Sequence, residues 1–180
     1  GNINFGDSIS GFYQKNIEAN FFRHFLKNNG KGENKLPEAY VFDSGAKEWK
    51  TFDAWPPKNT VKQDFFLQEN QLTTMAKRNI AFEEFVSDPK KPVPYSEDVK
   101  QQGLTPRKYM TDDQRFAARR PDVIVFETEV LQENTTFAGQ ILAKLQVSTT
   151  GTDADWIVKV IDVFPNDEPE TKEIAPYLKM

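Results

Sequence analysis

The chain contains no cysteine, only one histidine (His24) and no apolar run approaching the length of a membrane span. Each absence removes a class of chemistry. Without thiols there are no disulfides and no thiolate nucleophile, and the redox compartment stays open, because a cysteine-free chain suits either side of a membrane. A membrane helix needs roughly 20 apolar residues in succession, and none occur here. The amino terminus also lacks the charged-then-apolar form of a signal peptide; Gly1 reads as a cut point or an expression scar. A Gly-x-Ser-x-Gly nucleophile elbow is missing as well. The early serines, Ser8 and Ser10, stand before a helical pattern with no apolar strand ahead of them, so they read as helix caps. His24 lies in the aromatic run Phe21-Phe22-Arg23-His24-Phe25 and reads as a packed or surface residue, not a general base.

Charge of one sign is not massed anywhere. Twenty-seven acidic against 23 basic residues leave a net charge of −4, and the basic residues come at most in pairs, such as Lys90-Lys91 and Arg119-Arg120. Nucleic-acid binding therefore has no electrostatic support. What is present is aromatic: 13% of 180 residues, enough to help fill the core of one ordinary domain. A mean hydropathy of −0.66 is polar for a self-contained globule. It suits a module that borrows burial from a neighbour, and it is not low enough for disorder.

From Ser8 to Asn29 the residues Ile9, Phe12, Tyr13, Ile17, Phe21, Phe22, Phe25 and Leu26 keep to one face of an amphipathic helix, with Gly30 as its stop. Such a broad aromatic stripe must pack on something large. Beyond a polar connector, Lys31 to Lys35, short runs of period two predict strands at Glu38–Asp43, Trp49–Phe52, Asp64–Leu67, Gln71–Met75 and Ala81–Phe85. Ser44-Gly45-Ala46-Lys47 and Gln68-Glu69-Asn70 are the intervening turns. Trp55-Pro56-Pro57 interrupts any ladder, since proline has no donor. Ser87 to Thr111 is a proline-stiffened excursion, and Asp112 to Arg119 adds a helical turn.

Strands are predicted again at Val123–Leu131, at Gly139–Thr149 with Ile141, Ala143, Leu145 and Val147 on one face, and at Trp156–Phe164, read as central. Many strands, one helix and Gly/Pro turns argue an all-β sandwich preceded by an amphipathic helix. No fixed-period repeat marks a solenoid or propeller.

Candidate chemistry is sparse. Asp153 and Asp155 beside Thr152 could offer oxygens to calcium, yet a calcium loop needs roughly six to eight ligands, so turn capping is preferred. Glu83-Glu84 and Glu127-x-Glu129 read as carboxylates on the wet side of strands. No cofactor and no metal are expected. Trp49, Trp55 and Trp156 leave open a carbohydrate-binding reading if they are exposed and coplanar, and a scaffold reading if they are buried.

An ordered set of motifs decides the most. Gln114-Arg115-Phe116-Ala117-Ala118-Arg119-Arg120-Pro121-Asp122-Val123 is followed by Thr152-Asp153-Ala154-Asp155-Trp156 through Asp162-Val163-Phe164-Pro165. Upstream stand Ile17-Glu18 with Phe21-Phe22 and Leu26-Lys27, then Val41-Phe42-Asp43 with Glu48-Trp49, then Trp55-Pro56-Pro57 and Tyr109-Met110-Thr111-Asp112. Together they resemble the C-terminal β-domain of the serine-hydrolase family of X-prolyl dipeptidyl-peptidases, cocaine esterase, α-amino-acid ester hydrolases and glutaryl-cephalosporin acylases. The wording is nearest the last two branches.

The resemblance implies a galactose-binding-like jelly-roll sandwich over residues 31–180, incomplete at its C-terminal end, with residues 1–30 as linker and helix from the end of an α/β-hydrolase domain. It implies a parent enzyme that acylates a serine and deacylates to water, with serine, acid and histidine all outside this chain. The partner implied is that α/β-hydrolase domain; a homo-oligomer contact is a further expectation, and the location is periplasmic or secreted. Tyr95, Tyr109 and Met110, on the proline-rich excursion, are the residues assigned to a wall of the substrate pocket. Ester, β-lactam side-chain amide and X-prolyl peptide all remain open as substrates.

Overall fold

A computed structural model describes residues 5, 6, 8–28, 31, 36–78, 82–97 and 112–165. The helix predicted from the Phe-rich periodicity is present, and it is not uniform. It begins with α1 (Ile9–Phe12), widens to π geometry over Tyr13–Glu18, returns as α2 (Ala19–Phe22) and widens again over Arg23–Lys27. Ser8 caps it as expected, its Oγ accepting the Gly11 amide at 3.2 Å. The first widening has a local chemical cause: Asn16 Nδ2 donates to the Phe12 carbonyl at 3.1 Å, and Asn20 Nδ2 to the Asn16 carbonyl at 2.6 Å. A side-chain donor four residues on competes with the main-chain amide for the same oxygen and opens the turn. The helix ends at Asn28, so the predicted stop at Gly30 lies outside the described residues.

Strand β1 (Ala39–Asp43) pairs antiparallel with β2 (Glu48–Phe52), in a register that sets Phe42 opposite Trp49. Asp43 organises the intervening turn, its Oδ1 accepting the amides of Gly45 at 3.0 Å and Ala46 at 2.9 Å while Oδ2 holds Lys50 Nζ at 2.7 Å. A lone hairpin is marginal in water; here the helix covers it. Phe12 stacks on Trp49 at 4.9 Å and 18°, Tyr40 meets the same indole edge-on at 5.5 Å, and Phe5 meets Phe42 at 5.9 Å. Each such pair adds about 0.5–1.5 kcal/mol beyond its buried area.

Strands β3 (Phe66–Gln68) and β4 (Gln71–Thr73) form a second antiparallel hairpin. Its two-residue loop, Glu69-Asn70, takes positive φ at both positions, as this tight turn requires. Residue 127 docks alongside β4: the Leu72 amide donates to the Glu127 carbonyl at 2.8 Å, and the Glu127 amide to the Asn70 carbonyl at 3.2 Å.

Four strands stand where the patterning put them, give or take two residues, and the short helix α3 (Arg115–Ala118) lies inside the predicted Asp112–Arg119 stretch. The remaining strand predictions are corrected. Residues 82–85 carry no strand, Val123–Leu131 contributes one bridge at Glu127, and Gly139–Thr149 and Trp156–Phe164 form no ladder among the described residues. Among the described residues, main-chain amides and carbonyls beyond Glu127 make no backbone pairs. Alternation predicts which face of a strand would be buried, but a strand exists only when a second strand supplies the partner groups.

Scattered side-chain contacts hold these outer segments instead. Gly139, at φ 96°, lies against Pro56, Phe65 meets Phe137 at 6.2 Å, and Phe85 meets Trp156 edge-on at 6.0 Å. A junction forms around α3, whose Ala117 is the one buried residue among those described. Lys159 Nζ donates to Gln114 Oε1 at 2.7 Å and sits 5.8 Å from the Phe116 ring centre. Arg120 forks onto Asp122 at 2.8 and 2.6 Å and reaches the Lys91 carbonyl at 3.4 Å. The Gln-Arg-Phe-Ala-Ala-Arg-Arg-Pro-Asp motif is thus where the 82–97, 112–123 and 156–163 stretches meet.

Candidate functional site

The side chains that could have formed a hydrolytic centre stand apart and are engaged in structure. Ser8 is a helix cap. His24 lies within the second π segment with its ring edge-on to Phe25, centroids 4.7 Å apart. Among the described residues no serine or carboxylate is bonded to that imidazole. Among the described residues no group of three or more His, Asp or Glu gathers as a metal site, and Asp153 and Asp155 lie exposed, without joining one.

Of the residues assigned to a pocket wall, Tyr95 is 53% exposed on the proline-rich segment; Tyr109 and Met110 lie outside the described residues. That segment opens with a turn that the Asp88 side chain closes, its Oδ1 accepting the Lys90 amide at 2.9 Å. It is tied down by the Arg120–Lys91 contact.

Charge is ordered at two points. The Lys50 ammonium beside Asp43, with the Ala46 amide, holds the Asp43 carboxyl below the usual carboxylate range, and Asp43 and Glu48 together raise the lysine. The Arg120 guanidinium depresses Asp122 in the same way. Both pairs brace turns.

An open depression of about 450 Å³ is lined by Asn70, Glu83, Glu84, Phe85, Pro121, Val123 and Glu127, among others. It unites carboxylates that the sequence presented separately, on the 82–85 segment and beside β4. They are exposed to water, which is a poor setting for an acid/base pair. No motif could have located this depression, because it exists only through the docking of residue 127 on the second hairpin.

The three tryptophans divide. Trp49 is packed into the helix–hairpin cluster. Trp55 and Trp156 are 44% and 42% exposed, and each leans on a phenylalanine, Phe52 at 5.7 Å and Phe85 at 6.0 Å. The central strand expected from Trp156 onward is corrected, and Trp156 stands half-exposed for the reason that leaves its segment without a ladder.

Comparison with known families brings one match that spans most of the chain: residues 29–175 fit the X-Pro dipeptidyl-peptidase C-terminal non-catalytic domain. The chain belongs to that family. This PepX C-terminal domain is also similar to cocaine esterase of Rhodococcus sp. (strain MB1 Bresler), with 28% identity over 160 residues, covering 81% of this chain and 27% of the esterase. A solved aminopeptidase from the marine sediment archaeon Thaumarchaeota archaeon superposes with a TM-score of 0.61 at 33% identity, covering 74% of this chain and 22% of that one. The chain therefore spans about a quarter of the length of the relatives it matches. The resemblance carried by the ordered motifs is upheld, and the domain is β-rich, with small antiparallel sheets.

Proposed function

We propose that this PepX C-terminal domain is the non-catalytic portion of a serine acyl hydrolase in which it braces an α/β-hydrolase domain, with the proline-rich excursion forming one wall of the substrate pocket. In that setting residues 1–30 are the linker and helix, and residues 31–180 form part of a jelly-roll sandwich. The observation that carries the reading is the family match over residues 29–175. The exposed aromatic end of the helix supports it: Phe21, Phe22 and Phe25 are 44–49% exposed and Leu26 69%, a face that in water wants a partner. A secreted or periplasmic location belongs to the same proposal. The substrate class is an ester, amide or X-prolyl peptide.

The test compares the isolated chain with the whole enzyme on p-nitrophenyl acetate and phenylglycine methyl ester, with a serine-directed inhibitor as control. The whole enzyme turns over both and is silenced by the inhibitor, while the isolated chain turns over neither. Inhibitor-sensitive turnover by the isolated chain would overturn the scaffold role. For the wall, alanine at Tyr95, Tyr109 or Met110 in the whole enzyme raises KM for the aromatic ester several-fold; unchanged constants for all three remove the wall.

The exposure of Trp55 and Trp156 favours a second reading, a carbohydrate-binding module. Quenching of tryptophan fluorescence by oligosaccharides, lost in Trp55→Ala, would favour it over the scaffold.

A further inference from the structure

Asn134-Thr135-Thr136 is the only place in the chain where an asparagine is followed two residues later by serine or threonine, and the intervening residue is not proline. That spacing is what oligosaccharide transfer to an amide nitrogen requires, and it is used on surface loops of exported proteins. The local structure suits the reaction. Residues 127–137 are all exposed, and residues 132–138 belong to neither helix nor strand. Bends at Gln132 and Glu133 precede the acceptor. Thr135 turns its hydroxyl back to the Glu133 carbonyl at 3.3 Å, and Gln132 Nε2 donates to the Val130 carbonyl at 3.0 Å. Both bonds fold the segment ahead of Asn134 and occupy neither of the groups that matter. Among the described residues, the Asn134 amide and the Thr136 hydroxyl hold no hydrogen bond, so the donor of the glycosidic nitrogen and the hydroxyl recognised beside it are presented together to solvent. On the C-terminal side Phe137 rests on Phe65 at 6.2 Å, anchoring the loop beyond the acceptor.

We infer that Asn134 is an acceptor for N-linked glycosylation, an inference that rests on the exported location proposed above. The co-reactant is a polyprenyl-pyrophosphate-linked sugar. The Asn134 Nδ2–C1 bond forms, the C1–O bond to the pyrophosphate breaks, the lipid pyrophosphate leaves with the electron pair, and the amide loses one proton to solvent base. The product is a neutral glycosyl amide on a loop that meets water.

The test is mass spectrometry of the protein isolated from the cells that make it, together with its location by fractionation. Trypsin releases the acceptor within the peptide Arg120–Lys144, because Pro121 protects the bond after Arg120. The expected result is that peptide with a sugar increment localised to Asn134 by electron-transfer fragmentation, and complete loss of the increment in Thr136→Ala made in the same cells. Exported protein whose peptide carries only the unmodified mass overturns the inference and spares the location. Protein retained inside the cell and unmodified overturns both. A sugar localised to Thr135 or Thr136 also overturns it.

Discussion

Gly139 shows how much one residue can carry in a chain with so little burial. Its φ of 96° is a region that side-chain-bearing residues rarely enter, and a Cβ there would stand 3.1 Å from Pro56 Cβ. Gly139→Ala is therefore expected to destabilise by about 1–3 kcal/mol through strain, read as a lowered urea midpoint; an unchanged midpoint would mean this contact does not form in solution. Asp43 gives the pH dependence. A carboxyl depressed in the folded state contributes stability that is fully present above its unfolded value of about 3.9 and is lost as pH falls through the lower folded value. Asp122 adds to the same acid limb. Lys50, raised by its carboxylates, works oppositely: its contribution holds below about 10.4 and is lost as pH rises through the folded value. Thermal melts from pH 2 to 7 should thus weaken below about pH 4, with a shallower acid slope in Asp43→Asn, which keeps an acceptor for Gly45 and Ala46 and drops the lysine pair. An identical slope in the variant would show that Asp43 does not matter there.

At the scale of elements, the helix is two things in sequence. Its first turns belong to the β1–β2 hairpin through Phe12 and Trp49, and its last turns present Phe21, Phe22, Phe25 and Leu26 outward. Trp49→Ala should cost about 2–4 kcal/mol, toward the low end of large-to-small core changes because the indole is half-buried. Phe25→Ser should leave the isolated chain's stability within about 0.5 kcal/mol, as surface substitutions do, while loosening its association with a hydrolase domain. Urea titration followed by circular dichroism separates the two, and equal losses would mean the helix end is packed within this chain. The helix, both hairpins and their turns were legible in the residues because each is specified locally, by an apolar stripe, an Asp43 side chain that closes its own turn, or an Asn70 that tolerates positive φ. The strands predicted at Val123–Leu131, Gly139–Thr149 and Trp156–Phe164 form no ladder among the described residues, because alternation marks a face but cannot supply the partner strand.

At the scale of the whole molecule, one buried residue among those described, set against Ile141, Leu142, Ile157 and Val160 at 69–84% exposure, leaves much apolar surface in water. Isolated chain should bind an anilinonaphthalene dye strongly and lose most of that signal when joined to the hydrolase domain. Equal fluorescence in both forms would argue that the apolar segments are covered by something other than that domain.

The residues by themselves determined the family, through motifs spread in order along most of the chain, together with the helix and the two hairpins. Only the tertiary structure decided that Arg120 and Lys159 gather three distant stretches around Ala117, that Glu83, Glu84 and Glu127 share one depression, and that Trp156 is half-exposed. The division has a physical cause. Period, capping and turn chemistry act over a few residues and are written in the sequence, whereas burial and pairing depend on which surfaces come to face one another.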